Sequence, residues 1–325
     1  MIAIVGPTGS GKTALAIHLA KKLDAEIISC DSRGIYKNLP ALTAVPPGHW
    51  TPQKISNRKS QIVNLYVTKE GIPYHFVDFL SPTKRFDAYT YSQRAKKLIA
   101  DILKRKKICI VAGGSGFYFR ALTNGFHPLP GANEKIRKNI ESLLQKRGLP
   151  YLAQQLQAKD PTTYKNIDTK NPRRVARALE ICLILGKPLS RYLQETPRSR
   201  PLTAPVKAFY LQWPKEKLRK RINRRVQEGF SAMVEEVWKL NKKFGLSTVR
   251  LPAFESLLAE PILCHLKGEI SQNQAMEDCA RRDSNYAKKQ RTWFKKEKNL
   301  ITIQCSNNRF IERATSAILK EAIIA

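Results

Sequence analysis

Residues 6–13 read Gly6-Pro7-Thr8-Gly9-Ser10-Gly11-Lys12-Thr13 and complete the pattern G-x-x-x-x-G-K-[ST] of a phosphate-binding loop. The apolar run 2–5 before this phosphate loop predicts a short buried strand. Residues 14–23 after it predict a helix, because leucines recur every four residues on one face. Such a loop turns its backbone N–H groups inward at a helix N-terminus, which favours anions. We therefore expect the chain to bind a di- or triphosphate.

Individual residues of the phosphate loop have separate expected roles. Lys12 can neutralise a β- or γ-phosphate, and the Thr13 hydroxyl can bind Mg²⁺. Diphosphate contacts are also expected from the other loop positions that this pattern supplies, namely Gly6, Thr8, Gly9, Ser10 and Gly11. The pattern does not indicate whether the phosphate is transferred, hydrolysed or released as a leaving group.

Length and composition indicate a globular protein of two domains, or one large domain with an insertion. The chain has 325 residues, of which 42% are hydrophobic. It contains no apolar run of membrane-spanning length, and its strand-like start predicts no signal sequence. The six cysteines form no C-x-x-C pair, which favours reduced thiols in a cytoplasmic protein over a zinc site. A monomer is the expected state.

The net charge points to a polyanionic partner. The chain has 58 Lys and Arg against 26 Asp and Glu, a formal charge of +32, and the basic residues recur along its whole length. This excess repels itself in isolation and favours binding to nucleic acid. General basicity without a nucleic-acid ligand remains the alternative.

Alternating strand and helix patterns predict the fold class. We expect an α/β protein with a P-loop NTPase-like parallel sheet core flanked by helices, and with an all-helical insertion domain. The predicted domains are the first part of the core at 1–125, the helical insertion at 126–196, and the second part of the core at 197–325. The proline-rich segment 40–59 predicts a long irregular loop, and the tail after Ser306 gives no clear prediction.

Asp31 ends a second predicted strand, at 26–30, on the same sheet edge as Lys12 and Thr13. A carboxylate there can hold Mg²⁺ through water or act as a base toward a bound acceptor. It can equally form an Asx turn or cap the next helix. Position alone leaves these interpretations open.

Several sequence blocks together resemble the bacterial tRNA dimethylallyltransferase family. They occur in the family's order between residue 2 and about residue 296. Besides the phosphate loop, they are Ile28-Ser29-Cys30-Asp31-Ser32 followed by Ile35-Tyr36, Pro73-Tyr74-His75-Phe76-Val77-Asp78, Gly113-Gly114-Ser115-Gly116-Phe117-Tyr118, Asn171-Pro172-Arg173-Arg174-Val175-Ala176-Arg177-Ala178-Leu179-Glu180 and Ala287-Lys288-Lys289-Gln290-Arg291-Thr292-Trp293.

The resemblance implies transfer of the dimethylallyl group of dimethylallyl diphosphate to N6 of the adenosine next to the anticodon, position 37, in tRNA. Charge would build on the departing diphosphate, so the phosphate loop, Lys12 and Mg²⁺ at Thr13 would serve a leaving group. By the same resemblance, Asp31 binds the adenine amine and takes its proton. Arg225 faces the diphosphate. The target base would be flipped out of its stack.

The resemblance also implies that a surface of the protein binds the anticodon stem-loop of the tRNA, mainly through the RNA phosphates. Ser115 would lie at the entrance of the reaction channel, and an arginine row would lie on the insertion domain. The implied tRNA-binding residues are Asp31, Ser32, Arg33, Gly34, Ser115, Arg173, Arg174, Arg177 and Arg250.

Two segments depart from the family's pattern, at 41–46 and 250–256, and they leave the RNA target open. Three other functions are considered. An adenylate isopentenyltransferase would prenylate free AMP, ADP or ATP, but a free nucleotide requires neither the charge nor the insertion. In a P-loop nucleotide or metabolite kinase, Asp31 would deprotonate a hydroxyl acceptor. The third is a non-catalytic RNA-binding NTPase module.

Overall fold

The computed structural model describes residues 1–54, 62–245, 251–255, 258–307 and 309–323. The predicted tRNA-binding residue Arg250 and the end of the predicted loop, 55–59, lie outside these residues. The chain divides into two compact units. The core unit consists of Met1–Thr123 and Leu202–Ala325, and the helical unit consists of Asn124–Pro201.

Helices and strands follow one another in three stretches. The first stretch contains β1 (Ile2–Val5), α1 (Lys12–Leu23), β2 (Ala25–Ser29), α2 (Pro40–Thr43), β3 (Gly48–Lys54), β4 (Ile62–Thr68), β5 (Tyr74–His75), α3 (Ala88–Lys104), β6 (Ile108–Gly113) and α4 (Gly116–Asn124). The helical unit contains α5 (Glu134–Lys159), α6 (Pro161–Asn166), α7 (Pro172–Leu185) and α8 (Leu189–Glu195). The last stretch contains β7 (Lys207–Gln212), α9 (Lys215–Phe244), a 3₁₀ turn (Pro252–Glu255), α10 (Ala259–Leu266), α11 (Gln272–Phe294), β8 (Leu300–Gln304) and α12 (Phe310–Ile323).

A six-stranded sheet with the order β5-β2-β6-β1-β7-β8 forms the centre of the core unit, and its neighbouring strands pair in parallel. Alternate residues of β1 enter two separate clusters. Ile4 belongs to the cluster that contains Leu15 of α1, whereas Val5 belongs to the cluster that contains Tyr91 of α3. Because both faces are covered, β1 is apolar throughout, as expected for a parallel strand. The predicted α/β class with a P-loop-like sheet is confirmed.

The prediction of an irregular loop at 40–59 is wrong for its described part. Residues 40–43 form α2, and β3 pairs with β4 in an antiparallel hairpin. Pro40 occupies the start of α2, where it is tolerated, and Glu236 of α9 accepts the N–H groups of Ala41 and Leu42 at 2.7 and 2.9 Å. Pro52 lies in a two-stranded ribbon, where a missing N–H costs little. The many prolines predicted a loop because the residue that stabilises α2, Glu236, lies on a helix that is distant in the sequence.

The helical unit starts and stops its helices with recognisable caps. The Asn171 side chain accepts the N–H groups of Arg173 and Arg174, and Gly186 ends α7 with a φ of 64°. Helix α5 is kinked at Gly148, where φ is 77°. Apolar residues of α5 and α7 form the core of this unit, among them Leu152 and Leu179.

A buried ion cluster holds the edge strand β5 to the sheet. Glu26 of β2 bonds His75 of β5 at 2.8 Å and pairs with Arg105 just after α3. Burial opposes ionisation of Glu26, but the hydrogen bonds from His75 and Arg105 outweigh it and lower its pKa to about 2. This cluster positions β5, which carries Tyr74 of the site described below.

This pKa predicts an acid-sensitive contribution to stability. Because the folded pKa of Glu26 lies below its ordinary value of 4.5, its stabilisation is present above that value and is lost as the pH falls toward 2. We expect Glu26→Gln to lower the free energy of unfolding at pH 7 by on the order of 2–3 kcal/mol. Urea denaturation between pH 7 and pH 3 measures this loss. The wild-type and variant values should converge at acid pH, and parallel curves would contradict the prediction.

Candidate active site

Three loops meet at the carboxyl edge of the sheet, where parallel strands place ligand sites. They are the phosphate loop after β1, the segment beginning at Asp31 after β2, and the turn 113–115 after β6. Backbone bonds join the second and third loops, because Cys30 N donates to Ala112 O at 2.8 Å and Ser115 N donates to Cys30 O at 3.1 Å. Strands β2 and β1 both flank β6, so the three loops are neighbours.

The phosphate loop has the curled backbone that its glycines predict. Gly9 and Gly11 have φ values of 74° and 87°, which disfavour residues with a side chain. Lys12 Nζ lies over the loop and donates to Pro7 O at 2.6 Å and to Ser10 Oγ at 3.4 Å. Lys12 is thus held at the loop by contacts that a diphosphate oxygen can replace.

Burial lowers the pKa of Lys12 to about 8. The negative charge of Asp31 opposes this shift, and the positive charge of Arg225 adds to it. Asp31 and Arg225 therefore both lie close enough to Lys12 to influence its charge. A bound diphosphate would favour the charged form of Lys12, because it places compensating negative charge beside the ammonium group.

The backbone of the phosphate loop is also supported by residues that the sequence analysis did not single out. Trp213 Nε1 donates to Ser10 O at 3.0 Å, and Arg221 Nε donates to Gly9 O at 2.8 Å. The Arg221 guanidinium lies 4.4 Å from the centre of the Trp213 ring, and Phe310 packs edge-on against the same ring. Phe310 begins α12, in the tail after Ser306 for which no structure was predicted. These contacts hold the backbone of the loop through the carbonyl groups of Gly9 and Ser10.

Arg225 of α9 reaches the phosphate loop, as the family resemblance implies. Its Nη1 lies 3.4 Å from Thr8 Oγ1, and its Nη2 pairs with the buried carboxylate of Asp283 on α11. Burial raises the pKa of Asp283, and the charge of Arg225 counteracts that rise. Arg225 Nε is buried and has no hydrogen-bond partner among the described residues. Arg225 is therefore held at the phosphate loop through its two Nη groups.

Asp31 forms the Asx turn that was one of the interpretations considered for it. Its Oδ1 accepts the N–H of Arg33 at 2.8 Å and lies 3.4 Å from the N–H of Gly34, which is an Asx turn. Within the described residues no hydrogen bond or ion pair engages Oδ2. The turn thus orients the carboxylate and leaves one oxygen for a ligand, an acceptor amine or a metal-bound water.

Ser115 is a buried link between two loops. Its hydroxyl accepts the N–H of Ser32 at 2.8 Å and lies 3.0 Å from Ser32 Oγ. Arg33 reaches in the other direction, where Nη1 donates to Pro252 O at 3.3 Å. The structure therefore brings Ser32, Arg33, Gly34 and Ser115 together around Asp31.

Two tyrosines complete the site, and the sequence analysis assigned them no role. The Tyr74 hydroxyl interacts with the Thr13 side chain, and burial raises the pKa of Tyr74. Burial also raises the pKa of Tyr286 to about 12, and its neighbours include Asp31 and Ser115. Both lie inside or beside family blocks, at 73–78 and 287–293, so a closer reading of those blocks could have found them.

The donor set suits Mg²⁺ without a dedicated metal cage. Within the described residues, no three His, Cys, Asp or Glu side chains cluster as a metal site. Mg²⁺ is commonly held by one or two protein oxygens together with substrate phosphates and water. The Thr13 hydroxyl and Asp31 Oδ2 are such hard oxygens at one sheet edge, so these residues fit the ion.

The predicted arginine row lies in the helical unit and divides into two kinds of residue. Arg177 is engaged internally, since it donates to Glu180 at 2.8 Å and to Pro130 O at 2.6 Å, and Glu180 is 2% exposed. Arg173 and Arg174 are exposed at the start of α7, where Arg174 lies 3.8 Å from Asp168. Two arginines of the row thus face solvent, and the third has a structural contact.

Family models and known relatives that match this chain agree on one family. The model of the IPP transferase family matches residues 64–297, and that of isopentenyl transferases matches residues 1–58. A relative named tRNA dimethylallyltransferase, from Thermoanaerobacter sp. (strain X514), is 36% identical over 299 residues, covering 91% of this chain and 88% of the relative. Among the part of the chain that the structure describes, no helix has the length and apolar character needed to cross a bilayer.

Solved structures agree with this similarity. The tRNA isopentenylpyrophosphate transferase of Bacillus halodurans is 27% identical, with a TM-score of 0.63 and coverage of 98% of this chain and 95% of its own. A eukaryotic dimethylallyltransferase acting on tRNA has a TM-score of 0.73 and covers 99% of this chain and 79% of its own. That enzyme is 22% identical and therefore supports the fold alone.

Proposed function

The chain belongs to the IPP transferase family, and from that premise we propose that it transfers a dimethylallyl group from dimethylallyl diphosphate to N6 of adenosine 37 in tRNA. The enzyme is a tRNA-modifying prenyltransferase. The observation that carries the proposal is the pairing of the phosphate loop with Asp31 in the loop after β2, where one carboxylate oxygen has no partner among the described residues.

The leaving group is the diphosphate. The bond between C1 of the dimethylallyl group and the diphosphate oxygen breaks with its electron pair going to the diphosphate, so negative charge grows there. Lys12, Arg225 and the N–H groups of the phosphate loop are placed to stabilise that charge. When bound at Thr13, Mg²⁺ supplies further positive charge to the diphosphate oxygens.

The acceptor is the exocyclic amine of a flipped adenine. The new bond joins its nitrogen to C1 of the dimethylallyl group, and the amine then gives up a proton. Asp31 Oδ2 is the base that we assign to this proton, while Oδ1 stays bonded to the N–H of Arg33. The fixed Asx turn keeps the carboxylate aimed at the acceptor.

An acceptor assay tests the proposal against its alternatives. The protein is incubated with labelled dimethylallyl diphosphate, Mg²⁺ and either unmodified tRNA, AMP or no acceptor. Label incorporated into tRNA alone supports the proposal. Label on AMP identifies an adenylate isopentenyltransferase, and no transfer to either acceptor overturns both prenyl-transfer functions. Light scattering on the same preparation tests the monomer that we expect of a cytoplasmic enzyme.

The helical unit is the proposed site of tRNA binding, through Arg173 and Arg174. Both are exposed at the N-terminus of α7, where the side chains can reach phosphates. We expect the double variant Arg173→Ala, Arg174→Ala to bind tRNA more weakly and to lower the salt slope of binding by about two units, one per lost phosphate contact. The affinity for dimethylallyl diphosphate should stay unchanged. Filter binding across a range of KCl concentrations measures the slope.

One arginine outside the row serves as the control for this experiment. Arg191 is exposed on α8 and pairs with Glu195, so Arg191→Ala removes a charge of the same unit outside the row. Arg177 is left intact, because its loss would leave the buried Glu180 with Arg137 as its one ion-pair partner among the described residues. If the double variant keeps the wild-type salt slope, the row is not the RNA surface. The exposed lysines 288 and 289 of α11 would then be tested next.

A further inference from the structure

Helix α11 directs two buried polar residues at the phosphate loop. Asp283 and Gln290 are seven positions apart, so they share one face two turns apart. Each is 5% exposed. Buried carboxylates and amides require partners, and both residues find theirs around Thr8. Asp283 acts through Arg225, whose Nη1 lies 3.4 Å from Thr8 Oγ1, and Gln290 contacts Thr8 directly.

The Gln290 amide makes two hydrogen bonds with different loops. Its Oε1 accepts the N–H of Thr8 at 2.7 Å, and its Nε2 donates to Gly114 O at 2.9 Å. The partners fix the orientation of the amide, since a backbone N–H needs an oxygen and a carbonyl needs an NH₂ group. A Cβ at position 114 would overlap this amide, so the close approach requires glycine there.

These bonds connect the two halves of the active site. Gly114 precedes Ser115, and Ser115 Oγ accepts the N–H of Ser32, which follows Asp31. A continuous path of hydrogen bonds and short backbone steps therefore runs from the phosphate loop to the residue beside the proposed base. Gln290 lies in the middle of that path.

We propose that Gln290 is a positioning residue that sets the separation between the diphosphate cradle and the acceptor site. The inference rests on the proposed prenyl transfer, in which C1 of the donor and the acceptor nitrogen must meet at a fixed distance. Gln290 acts through Thr8 and Gly114. Since the Thr8 N–H is committed to Gln290, the backbone donors for the diphosphate come from later residues of the loop.

Replacement by leucine removes both hydrogen bonds while keeping a similar volume. Reaction rates fall steeply when reacting groups are misplaced by about 1 Å. We expect Gln290→Leu to lower kcat for tRNA prenylation by about ten- to a hundredfold. The KM values for dimethylallyl diphosphate and tRNA should change by less than about threefold, because the groups that bind them remain. Gln272→Leu, at the exposed start of the same helix, is the matched control.

A second variant separates positioning from folding. In Gln290→Glu, the protonated carboxyl can accept from the Thr8 N–H and donate to Gly114 O, as the amide does. The ionised carboxylate has no proton to donate, and it faces the Gly114 carbonyl with a second acceptor. We therefore expect the ratio of variant to wild-type kcat to rise as the pH is lowered from 8 to 6. Circular dichroism at each pH restricts the comparison to folded protein.

The outcomes distinguish this inference from the proposed function. If wild-type protein transfers no label to tRNA, the proposed function fails. If wild-type is active and both variants match its kcat at every pH, Gln290 is only a packing residue and the inference is overturned. If the Gln290→Leu variant does not fold, the pH dependence of the kcat ratio of Gln290→Glu decides whether Gln290 is a positioning residue. A constant ratio in that variant also overturns the proposal.

Discussion

Lys12→Ala is expected to lower the turnover of tRNA prenylation by roughly 10²–10³-fold, the usual effect of removing one donor that stabilises transition-state charge. Lys12 Nζ lies over the phosphate loop, held by Pro7 O and Ser10 Oγ. Its charge matters most when the bond to the diphosphate breaks, so kcat should fall more than the affinity for the donor. Single-turnover kinetics with saturating tRNA measure the effect.

A surface lysine of the same helix provides the control. Lys22 is exposed in the last turn of α1, so Lys22→Ala removes one positive charge without changing the loop. It should retain wild-type turnover. A Lys12→Ala enzyme with near-normal turnover would remove this side chain from the mechanism.

The same residue predicts a pH dependence of donor binding. Burial lowers the pKa of Lys12 to about 8 in the free protein, so the ammonium form predominates below that pH and declines above it. A diphosphate binds the charged form better. We therefore expect the affinity for dimethylallyl diphosphate to fall as the pH rises above 8, and to fall less steeply in Lys12→Ala. Calorimetric titration between pH 7 and pH 9 checks the sign.

Asp31→Asn is expected to bind both substrates and to transfer poorly. The asparagine oxygen can still accept the N–H of Arg33, so the Asx turn is preserved. The other oxygen becomes an NH₂ group, which takes no proton. Loss of a general base lowers rates by typically 10²–10⁴-fold, and we expect kcat to fall within that range. Rapid quench measures the rate, and filter binding measures tRNA affinity.

The binding measurements decide the role of Asp31. Retained affinity for diphosphate and tRNA with lost transfer supports a base. If donor binding in the presence of Mg²⁺ is lost instead, while bound substrate still reacts normally, Asp31 is a metal-shell residue and our assignment is wrong. Asp24→Asn is the control, since Asp24 follows α1 and makes a surface pair with Lys107.

Local sequence patterns were sufficient to predict those segments whose structure depends on residues close to them in the sequence. Strand β1, the glycine turns of the phosphate loop and helix α1 were predicted because apolar periodicity and glycine spacing act over a few residues. The caps of α7 at Asn171 and Gly186 are equally local. The prediction of a diphosphate site with Lys12 and Thr13 follows from one contiguous motif.

Contacts between segments that are far apart in the sequence could not be predicted from such local patterns. Helix α2 depends on Glu236, which is 195 residues from Ala41, and proline content alone suggested a loop there. Phe310 supports the phosphate loop from a tail that showed no motif. Arg177 reads as one of three equivalent arginines, but a buried glutamate engages it.

Sequence alone determined which chemical groups the phosphate loop carries, and the family blocks indicated the expected acceptor. Only the tertiary structure decided how those groups are held, with Arg225 between Thr8 and Asp283, Asp31 in an Asx turn and Gln290 across two loops. The physical reason is the distance along the chain over which each effect acts. Propensity and periodicity act between neighbours along the chain, whereas a buried polar group must find its partner wherever packing brings one.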